Sequence, residues 1–222
     1  VVDSEGVMLW GDQLLLLYAD EVLQQHPGAS IIGDIKVSQA CFDTIETMGG
    51  HPVMTKTGHS FIKHKIKETG ALLAGEMSGH MFFCDRYFGY DDAAYAALRA
   101  IGIISGMSKS LASWRKELKP IINTPEINIP CDNEQKTRVV DMVLGRMKHT
   151  PAKVIDIDGI RVVYPYGWWL LRASNTSEKL VVRAEAESLD DLRKLLDDLQ
   201  FQLTQVGVVA DFQRYTAEKR IS

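Results

Sequence analysis

The chain has few cysteines and no long apolar run. Only 3 cysteines occur among 222 residues, Cys41, Cys84 and Cys131, and they form no Cys-x-x-Cys pair. An odd number at such wide spacing argues against a disulfide framework and against a zinc site built on thiolates. The longest apolar stretches, such as residues 14–17, are too short to span a bilayer, and no secretory signal opens the chain. We therefore expect a soluble cytoplasmic protein with no membrane partner.

The chain also lacks a strong charge of either sign. Its formal net charge is −4, so the overall balance gives no reason to expect a nucleic-acid partner. Lys63, His64, Lys65 and Lys67 form one local basic run, but no aromatic residues interleave with these charges. We interpret the run as a solvated helix face, and nucleic-acid binding by this surface is kept only as a competing hypothesis.

An initiator methionine is absent as well, because the chain opens with Val1-Val2-Asp3. We expect the 222 residues to be part of a longer protein.

Residues 1–118 alternate short β-rich runs with helical segments, which predicts an α/β domain with a mixed sheet flanked by helices. Capping residues mark the expected helix starts. These starts are Asp12, Ser38, Ser60, Asp91 or Asp92, and Ser108. The predicted strands cover residues 31–35, 53–55 and 72–74.

Three prolines, Pro120, Pro125 and Pro130, interrupt this pattern, so residues 119–130 are predicted to form a linker or hinge. Residues 131–222 then combine two helical segments with strand-like runs joined by turns such as Asp158-Gly159. This predicts an α+β domain with a small antiparallel sheet. Its helices are expected over 134–148 and 189–206, and its strands over 154–157, 160–163, 168–172 and 180–186.

The segment Gly75-Glu76-Met77-Ser78-Gly79-His80 places polar side chains between two glycines. A carboxylate such as Glu76 can accept hydrogen bonds from two neighbouring sugar hydroxyls, and Ser78 can both donate and accept. Glycines let a sugar ring approach the backbone. The segment therefore predicts a sugar-binding loop, in which His80 either contacts the ligand or orients the loop. A glycine-rich turn with a solvated glutamate is the alternative.

The segment Arg172-Ala173-Ser174-Asn175-Thr176 carries groups that suit a phosphate. The planar guanidinium of Arg172 matches phosphate oxygens bidentately, and Ser174, Asn175 and Thr176 add side-chain and backbone donors. We predict a phosphate-binding loop here.

In residue pattern and in order, these two loops resemble those of the α-D-phosphohexomutases, of the phosphomannomutase/phosphoglucomutase type. The resemblance covers nearly the whole chain, as the third and fourth domains of a four-domain enzyme. It implies a TATA-box-binding-protein-like fold for residues 131–222, and N-terminal domains of the same protein as partners. It also implies that Arg183, otherwise an ordinary strand arginine, is a second phosphate-binding residue. Ser177-Glu178-Lys179 departs from the Thr-Pro that commonly follows the family's loop.

Two basic residues are candidates for the reacting end of the substrate. His59 lies in Lys56-Thr57-Gly58-His59, which resembles a family segment close to the reacting sugar oxygen. A helix N-terminus there would favour the neutral imidazole that a general acid/base needs. Lys36 follows a predicted strand end, where open α/β sheets place ligand contacts, and it matches another basic family position. A lysine solvated in a loop is the alternative for Lys36.

For the full enzyme, the resemblance implies interconversion of hexose 1-phosphates and 6-phosphates through a phosphoserine and a hexose 1,6-bisphosphate, with Mg²⁺. The family's nucleophile serine segment and aspartate-rich metal loop do not occur in the sequence, and Asp156-Ile157-Asp158-Gly159 is interpreted as a turn. We therefore expect this chain to bind a phosphosugar, to hold no metal and to be inactive by itself. The alternative is a separate sugar-phosphate-binding or regulatory module. The resemblance also implies that mannose or glucose substrates are favoured over glucosamine, because of the combination of Asn175 with Met77 between Glu76 and Ser78.

Overall fold

A computed structural model of the chain describes residues 1–148 and 150–215. The chain divides into two compact units, Val1–Lys119 and Pro120–Ser222. No helix in the described ranges is long and apolar enough to cross a bilayer. The cytoplasmic location stays a prediction.

The first unit contains a four-stranded mixed sheet, which confirms the predicted α/β class. Its strands lie in the order β2-β1-β3-β4, with β1 parallel to β2 and β3, and β4 antiparallel to β3. Their bounds are β1 Ser30–Asp34, β2 His51–Thr55, β3 Leu73–Gly75 and β4 Met81–Phe83. Because β1, β2 and β3 are parallel, their carboxyl ends share one edge of the sheet, where open α/β folds place ligands.

Five helices accompany this sheet: α1 Gly11–Gln25, α2 Gln39–Thr47, α3 His59–Thr69, α4 Ala93–Gly106 and α5 Leu111–Glu117. The leucine-rich face of α1 packs with strand residues in the main core of the unit, where Leu15, Leu17, Tyr18, Ile31 and Phe83 are nearly or fully buried. Burying such side chains stabilises the fold by about 1.5–3 kcal/mol each.

Capping side chains place several of the helix starts as predicted. The Ser38 hydroxyl accepts a hydrogen bond from the Ala40 N–H at 3.1 Å, and the Asp92 carboxylate accepts one from the Tyr95 N–H at 3.0 Å. Ser110, rather than Ser108, caps α5, so that helix is shorter than predicted. Each of these oxygens satisfies an N–H group that has no partner within its helix.

Two predicted helix starts are wrong. The first helix begins at Gly11, and the Gln13 side chain accepts a hydrogen bond from the Trp10 N–H at 3.0 Å, so Asp12 lies in the first turn instead of capping it. The helix predicted to start at Ser60 begins one residue earlier, at His59. The residue before it is a glycine with φ 129°, a conformation that other residues rarely adopt.

A buried ion cluster joins α1 and α4 to the segment after β4. The guanidinium of Arg99 donates to Glu21 from Nε and to Asp85 from Nη1, both at 3.0 Å, and lies 4.7 Å from the Phe83 ring centroid. Its side chain is only 8% exposed, so these carboxylates take the place of water. Arg86 pairs with the same two carboxylates but is about half exposed.

In its described residues, the second unit is an antiparallel sheet with two α-helices and a short 3-10 helix at Gln213–Tyr215, which confirms the predicted α+β class. Its strands are β5 Ile122–Asn123, β6 Ile127–Pro130, β7 Lys153–Ile155, β8 Ile160–Tyr164, β9 Gly167–Ala173 and β10 Lys179–Ala186, in the order β5-β10-β9-β8-β7 with β6 also paired to β10. The helices are α6 Asn133–Met147 and α7 Leu189–Gln205. Leucines of α7, including Leu192, Leu195 and Leu199, are buried in the core with the inner faces of β9 and β10.

The prediction of a linker over residues 119–130 is wrong for half of the segment, which lies in strands β5 and β6. Strands β5 and β6 both pair with the same edge of β10. Between them, Thr124 bridges the interruption, because its N–H donates to the Ala184 carbonyl at 2.9 Å and its hydroxyl accepts from the Ala184 N–H at 3.0 Å. Proline is tolerated at an edge strand, where no further ladder bond is needed, so Pro125 and Pro130 do not prevent pairing.

Candidate functional site

Three loops of the first unit follow the carboxyl ends of its parallel strands. Lys36 comes just after β1, His59 lies four residues past the end of β2, and the sugar-loop residues 76–80 follow β3 directly. The register aligns Gly33 of β1 with both Met54 and Gly75. Most candidates for sugar binding and acid/base chemistry therefore meet at this edge.

Glu76 joins two of these loops. Its Oε1 accepts a hydrogen bond from the Gly58 N–H at 2.9 Å, and its Oε2 accepts one from the Ser78 hydroxyl at 3.0 Å. The residue is 4% exposed, so it is not the solvated glutamate of the alternative interpretation. A buried carboxylate needs such donors, and the N-terminus of α3 supplies one of them.

The two glycines of the sugar loop have different roles. Gly79 adopts φ 96°, which lets the loop turn so that its N–H bonds the Glu76 carbonyl at 2.9 Å. Gly75 is packed instead, because a Cβ there would lie 2.9 Å from Met81 Sδ and 3.0 Å from Leu15 Cδ1. Gly75 therefore makes room for the core, and not for the ligand approach expected from the sequence.

Asp34, the last residue of β1, was missed by the sequence reasoning. Its Oδ1 accepts a hydrogen bond from the Met77 N–H at 3.0 Å, and its Oδ2 accepts one from the Thr57 hydroxyl at 2.8 Å. Burial raises the pKa of Asp34, and Glu76 acts in the same direction, whereas Lys36, with Nζ 3.9 Å away, opposes the rise. Asp34 thus fixes the positions of the loops that follow β2 and β3. The sequence signal that could have identified Asp34 is its place as a polar residue at the end of a buried strand.

Lys36 itself is 8% exposed, which excludes the alternative of a solvated loop lysine. A buried ammonium beside a carboxylate suits a role at a defined site.

His59 and His80 form a pair with Asp91. Their rings lie 4.7 Å apart between centroids at an interplanar angle of 72°. Asp91 Oδ2 lies 2.8 Å from His80 Nδ1 and 3.5 Å from His59 Nε2, and both imidazoles are 46% exposed. Of the two residues predicted to start α4, Asp92 is the cap, and Asp91 is not. Asp91 instead orients the imidazole of His80, and a single antiparallel β-bridge between the backbones of Asp91 and Phe82 holds Asp91 in place for this.

In the second unit, Arg172 is held by an aspartate that was interpreted from the sequence only as part of a turn. Arg172 Nε donates to Asp158 Oδ2 at 3.1 Å, and Nη2 lies 3.0 Å from the same oxygen. Arg172 is 5% exposed, so its guanidinium has little freedom to rotate. The turn that carries Asp158 needs a glycine at the next position, because a Cβ on Gly159 would lie only 2.7 Å from Arg172 Cα.

The phosphate loop is closed by its own serine and by a lysine of α6. The Ser174 hydroxyl accepts from the Ser177 and Thr176 N–H groups at 3.2 and 3.4 Å. Lys136 Nζ donates to the Ser174 carbonyl at 2.6 Å and to the Ser177 carbonyl at 3.0 Å. Ser174 is buried, whereas Asn175 and Thr176 are exposed. The Thr176 backbone N–H, which was expected to face a phosphate, therefore serves the loop itself.

Arg183 lies on β10, on the same sheet face as Arg172. The register pairs Arg172 with Val181, two residues before Arg183. Arg183 is 2% exposed, its Nη2 lies 3.8 Å from Glu185 Oε2, and its guanidinium lies 5.6 Å from the Trp168 ring. It is thus a buried arginine of the sheet rather than a residue of the loop.

Comparison with known protein families shows which family this chain belongs to. The family description "Phosphoglucomutase/phosphomannomutase, alpha/beta/alpha domain III" matches residues 10–121, and "Phosphoglucomutase/phosphomannomutase, C-terminal domain" matches residues 126–200. The chain belongs to the phosphoglucomutase/phosphomannomutase family. The matched segments are the third and last domains of that family, as the resemblance implied.

Individual relatives agree with this assignment. The chain is 42% identical over 206 residues to a phosphomannomutase/phosphoglucomutase of Pseudomonas aeruginosa, covering 93% of this chain and 44% of that protein. It is 42% identical over 190 residues to a phosphoglucomutase of Neisseria gonorrhoeae, covering 85% of this chain and 41% of that protein. The chain thus spans less than half the length of the relatives that it matches.

Solved structures have the same fold. A phosphoglucomutase/phosphomannomutase family protein from Burkholderia thailandensis matches with a TM-score of 0.86 at 38% identity, covering 95% of this chain and 44% of that chain. The N-acetylphosphoglucosamine mutase of Aspergillus fumigatus, solved in complex with GlcNAc-6P and magnesium, matches with a TM-score of 0.66 at 15% identity, covering 93% and 46%. At that identity the second match shows the fold alone.

The magnesium of the phosphohexomutases does not fit the groups found here. Within residues 1–148 and 150–215, the one group of three or more candidate ligands consists of His59, Glu76 and His80. Mg²⁺ demands near-octahedral oxygen ligands, and two imidazoles with one carboxylate do not provide them.

Proposed function

We propose that the first unit binds the hydroxyls of a hexose phosphate through Glu76, Ser78 and His80. The observation that carries the proposal is the buried Glu76 carboxylate at the carboxyl edge of the sheet, held by Gly58 and Ser78. A carboxylate oxygen has two lone pairs, so one protein donor on each oxygen leaves acceptor capacity for sugar hydroxyls. Charge-assisted hydrogen bonds of this kind are about twice as strong as neutral ones.

We propose separately that the second unit binds a phosphate group. Asp158 engages one edge of the Arg172 guanidinium, so a phosphate would approach the other edge. Ser174 shapes the loop, and the exposed Asn175 and Thr176 would donate to the remaining oxygens. Arg183 contributes positive charge from the same sheet face.

His59 is the proposed general acid/base, and Lys36 the proposed cation near the reacting group. The exposed imidazole of His59 follows Gly58, the residue that binds Glu76, so it lies beside the proposed sugar site. A general acid/base must come within about 2.6–3.2 Å of the proton that it transfers. Asp91 would orient the neighbouring His80.

The whole protein, we infer, interconverts hexose 1-phosphates and 6-phosphates through a phosphoserine and a hexose 1,6-bisphosphate. Mannose and glucose are the favoured sugars. The phosphoserine and the Mg²⁺ ligands would come from N-terminal domains of the same protein, and the 222-residue chain would bind substrate without turning it over. Turnover of glucose 1-phosphate by the chain, with the bisphosphate activator present, would contradict this part of the proposal.

Calorimetric titration of the 222-residue chain with mannose 1-phosphate and with inorganic phosphate tests the two assignments separately. Arg172→Ala is expected to weaken binding of both ligands, and of the phosphosugar by about 2–5 kcal/mol, because it removes a buried charge. Glu76→Gln should weaken binding of mannose 1-phosphate but not of inorganic phosphate. Arg193→Ala is the matched control, since Arg193 is exposed and pairs with Asp190 of its own helix.

Unchanged affinity for mannose 1-phosphate in both Glu76→Gln and Arg172→Ala would refute the proposed function. The alternative, a separate sugar-phosphate-binding or regulatory module, predicts the same binding but no mutase activity in the full-length protein. An assay of the full-length protein therefore distinguishes the two.

A further inference from the structure

We propose that His59, Glu76 and His80 form a binding site for a transition-metal ion, with Zn²⁺ as the best fit. Each residue offers one ligand atom, and the three atoms lie within 4.8 Å of one another. Two imidazoles and one carboxylate are the donor set of many catalytic zinc sites, and they discriminate against Mg²⁺.

The three ligands come close enough to close around an ion with small movements. Tetrahedral coordination with bonds of about 2.0–2.1 Å places ligand atoms about 3.4 Å apart, so separations of up to 4.8 Å must contract by at most about 1.4 Å. His59 is 46% exposed and lies 3.5 Å from Asp91, so its side chain is the one that can move toward the other two ligands. Glu76 is buried and fixed by the Gly58 N–H, so it would act as the rigid member of the set.

Asp91 supplies the supporting contact that metal-binding imidazoles usually have. Its Oδ2 lies 2.8 Å from His80 Nδ1, and when that nitrogen carries the proton, Nε2 presents its lone pair. Partners of this kind fix the tautomer and the ring orientation, and they raise the basicity of the ligand. Asp91 is therefore a positioning residue for the proposed metal and not a ligand.

The fourth coordination position would face solvent, because both imidazoles are exposed. Ser78, which donates to Glu76 Oε2 at 3.0 Å, only has to rotate its hydroxyl to release that oxygen. The metal site needs Glu76 but not Ser78, whereas the proposed sugar site uses both. Ser78→Ala therefore separates the two kinds of binding.

Titration of the 222-residue chain with Zn²⁺ and Co²⁺ tests the site without any sugar. We expect Co²⁺ to give the strong visible absorption of tetrahedral coordination, and Mg²⁺ in excess not to abolish it. His59→Gln and His80→Gln should each weaken Zn²⁺ binding by at least about tenfold, and Asp91→Asn by about 10- to 100-fold. Ser78→Ala should bind Zn²⁺ as tightly as the unchanged chain.

His51→Gln and His64→Gln are the matched controls, because both histidines are exposed and lie outside the group. Circular dichroism of each variant checks that the fold is retained. The proposal is overturned if His80→Gln and His51→Gln bind Zn²⁺ equally well, or if bound Co²⁺ keeps the weak absorption of octahedral coordination.

A corollary rests on the proposed function: Zn²⁺ and mannose 1-phosphate would exclude each other, since both require Glu76 and His80. Competition titrations measure this directly. Zn²⁺ binding that is lost in His80→Gln but unaffected by the phosphosugar would leave the metal site standing and would count against the sugar-binding assignment.

Discussion

Gly11 provides the sharpest test of how the sugar loop is held. This first residue of α1 lies against the loop, and a Cβ added to it would lie 2.5 Å from the carbonyl oxygens of both Glu76 and Met77. All the nearest atoms belong to backbone, so no flexible side chain can move aside. Gly11→Ala therefore has to displace the loop or the helix, and overpacking of this kind costs about 1–3 kcal/mol.

Gly102→Ala is the matched control. Gly102 also lies in a helix of the first unit, but an added Cβ there meets nothing within 4 Å. Alanine is favoured over glycine inside a helix by about 1 kcal/mol, so this variant should be more stable than the unchanged chain. The two glycine-to-alanine variants should thus differ by about 2–4 kcal/mol in their free energy of unfolding.

Urea denaturation followed by circular dichroism measures that difference, and hydrogen exchange locates it. In Gly11→Ala, the Gly79 amide should exchange faster, because its hydrogen bond to the Glu76 carbonyl lies in the displaced loop. In Gly102→Ala it should exchange as in the unchanged chain. If Gly11→Ala is as stable as Gly102→Ala and the Gly79 amide keeps its protection, the close packing of α1 on the sugar loop is incorrect.

Three further changes test other contacts by urea denaturation. Arg99→Ala should lower the free energy of unfolding by about 3–5 kcal/mol, because it leaves buried carboxylates unpaired. Arg86→Ala, at an exposed arginine of the same cluster, should lower it by at most about 1 kcal/mol. Equal losses in the two variants would contradict the burial of the ion cluster. Thr124→Val should lower the free energy of unfolding by about 1–3 kcal/mol, since the buried Ala184 N–H loses its acceptor. The hydroxyl of Thr204 is exposed, so Thr204→Val should lower it far less. Burial raises the folded-state pKa of Asp34 above its ordinary value of 3.8, so the folded protein binds this proton more tightly than the unfolded chain. The unchanged protein should therefore lose stability relative to Asp34→Asn as the pH rises from 3.8 through that raised pKa, and a gain in stability relative to Asp34→Asn over this range would contradict the assignment.

Sequence periodicity predicted most of the elements because each long helix and strand has a local signal. Residues 81–83 were missed as a strand because a three-residue apolar run beside a glycine loop has no readable period. The segment 122–130 was mistaken for a linker because proline suggests irregular structure, whereas here the prolines lie at a sheet edge that does not need their missing N–H groups.

The sequence predicted the loops better than it predicted what holds them. Glu76, Ser78 and Arg172 were found because they lie in short segments with their own chemistry. Their supports come from elsewhere in the chain: Asp34 lies 43 positions from its partner Met77, and Lys136 lies 38 positions from Ser174. Such contacts are set by strand register and helix packing, so no local pattern reveals them.

Three carboxylates of the first unit hold its candidate site loops in place through hydrogen bonds. Asp34 accepts the Met77 N–H, Glu76 accepts the Gly58 N–H, and Asp91 pairs with His80, so each acidic group fixes one point of the loops at the carboxyl edge of the sheet. A buried carboxylate is costly unless donors replace its water, and the N-terminus of α3 provides both a donor and a favourable dipole for Glu76. Glu76 and the start of α3 therefore depend on each other: the helix end lets the carboxylate remain in a dry site, and the carboxylate fixes the backbone that presents His59. Without the N-terminus of α3, the sugar loop could not keep the Glu76 carboxylate buried and charged. The geometry on which both the sugar-binding and the metal-binding proposals depend would then be lost.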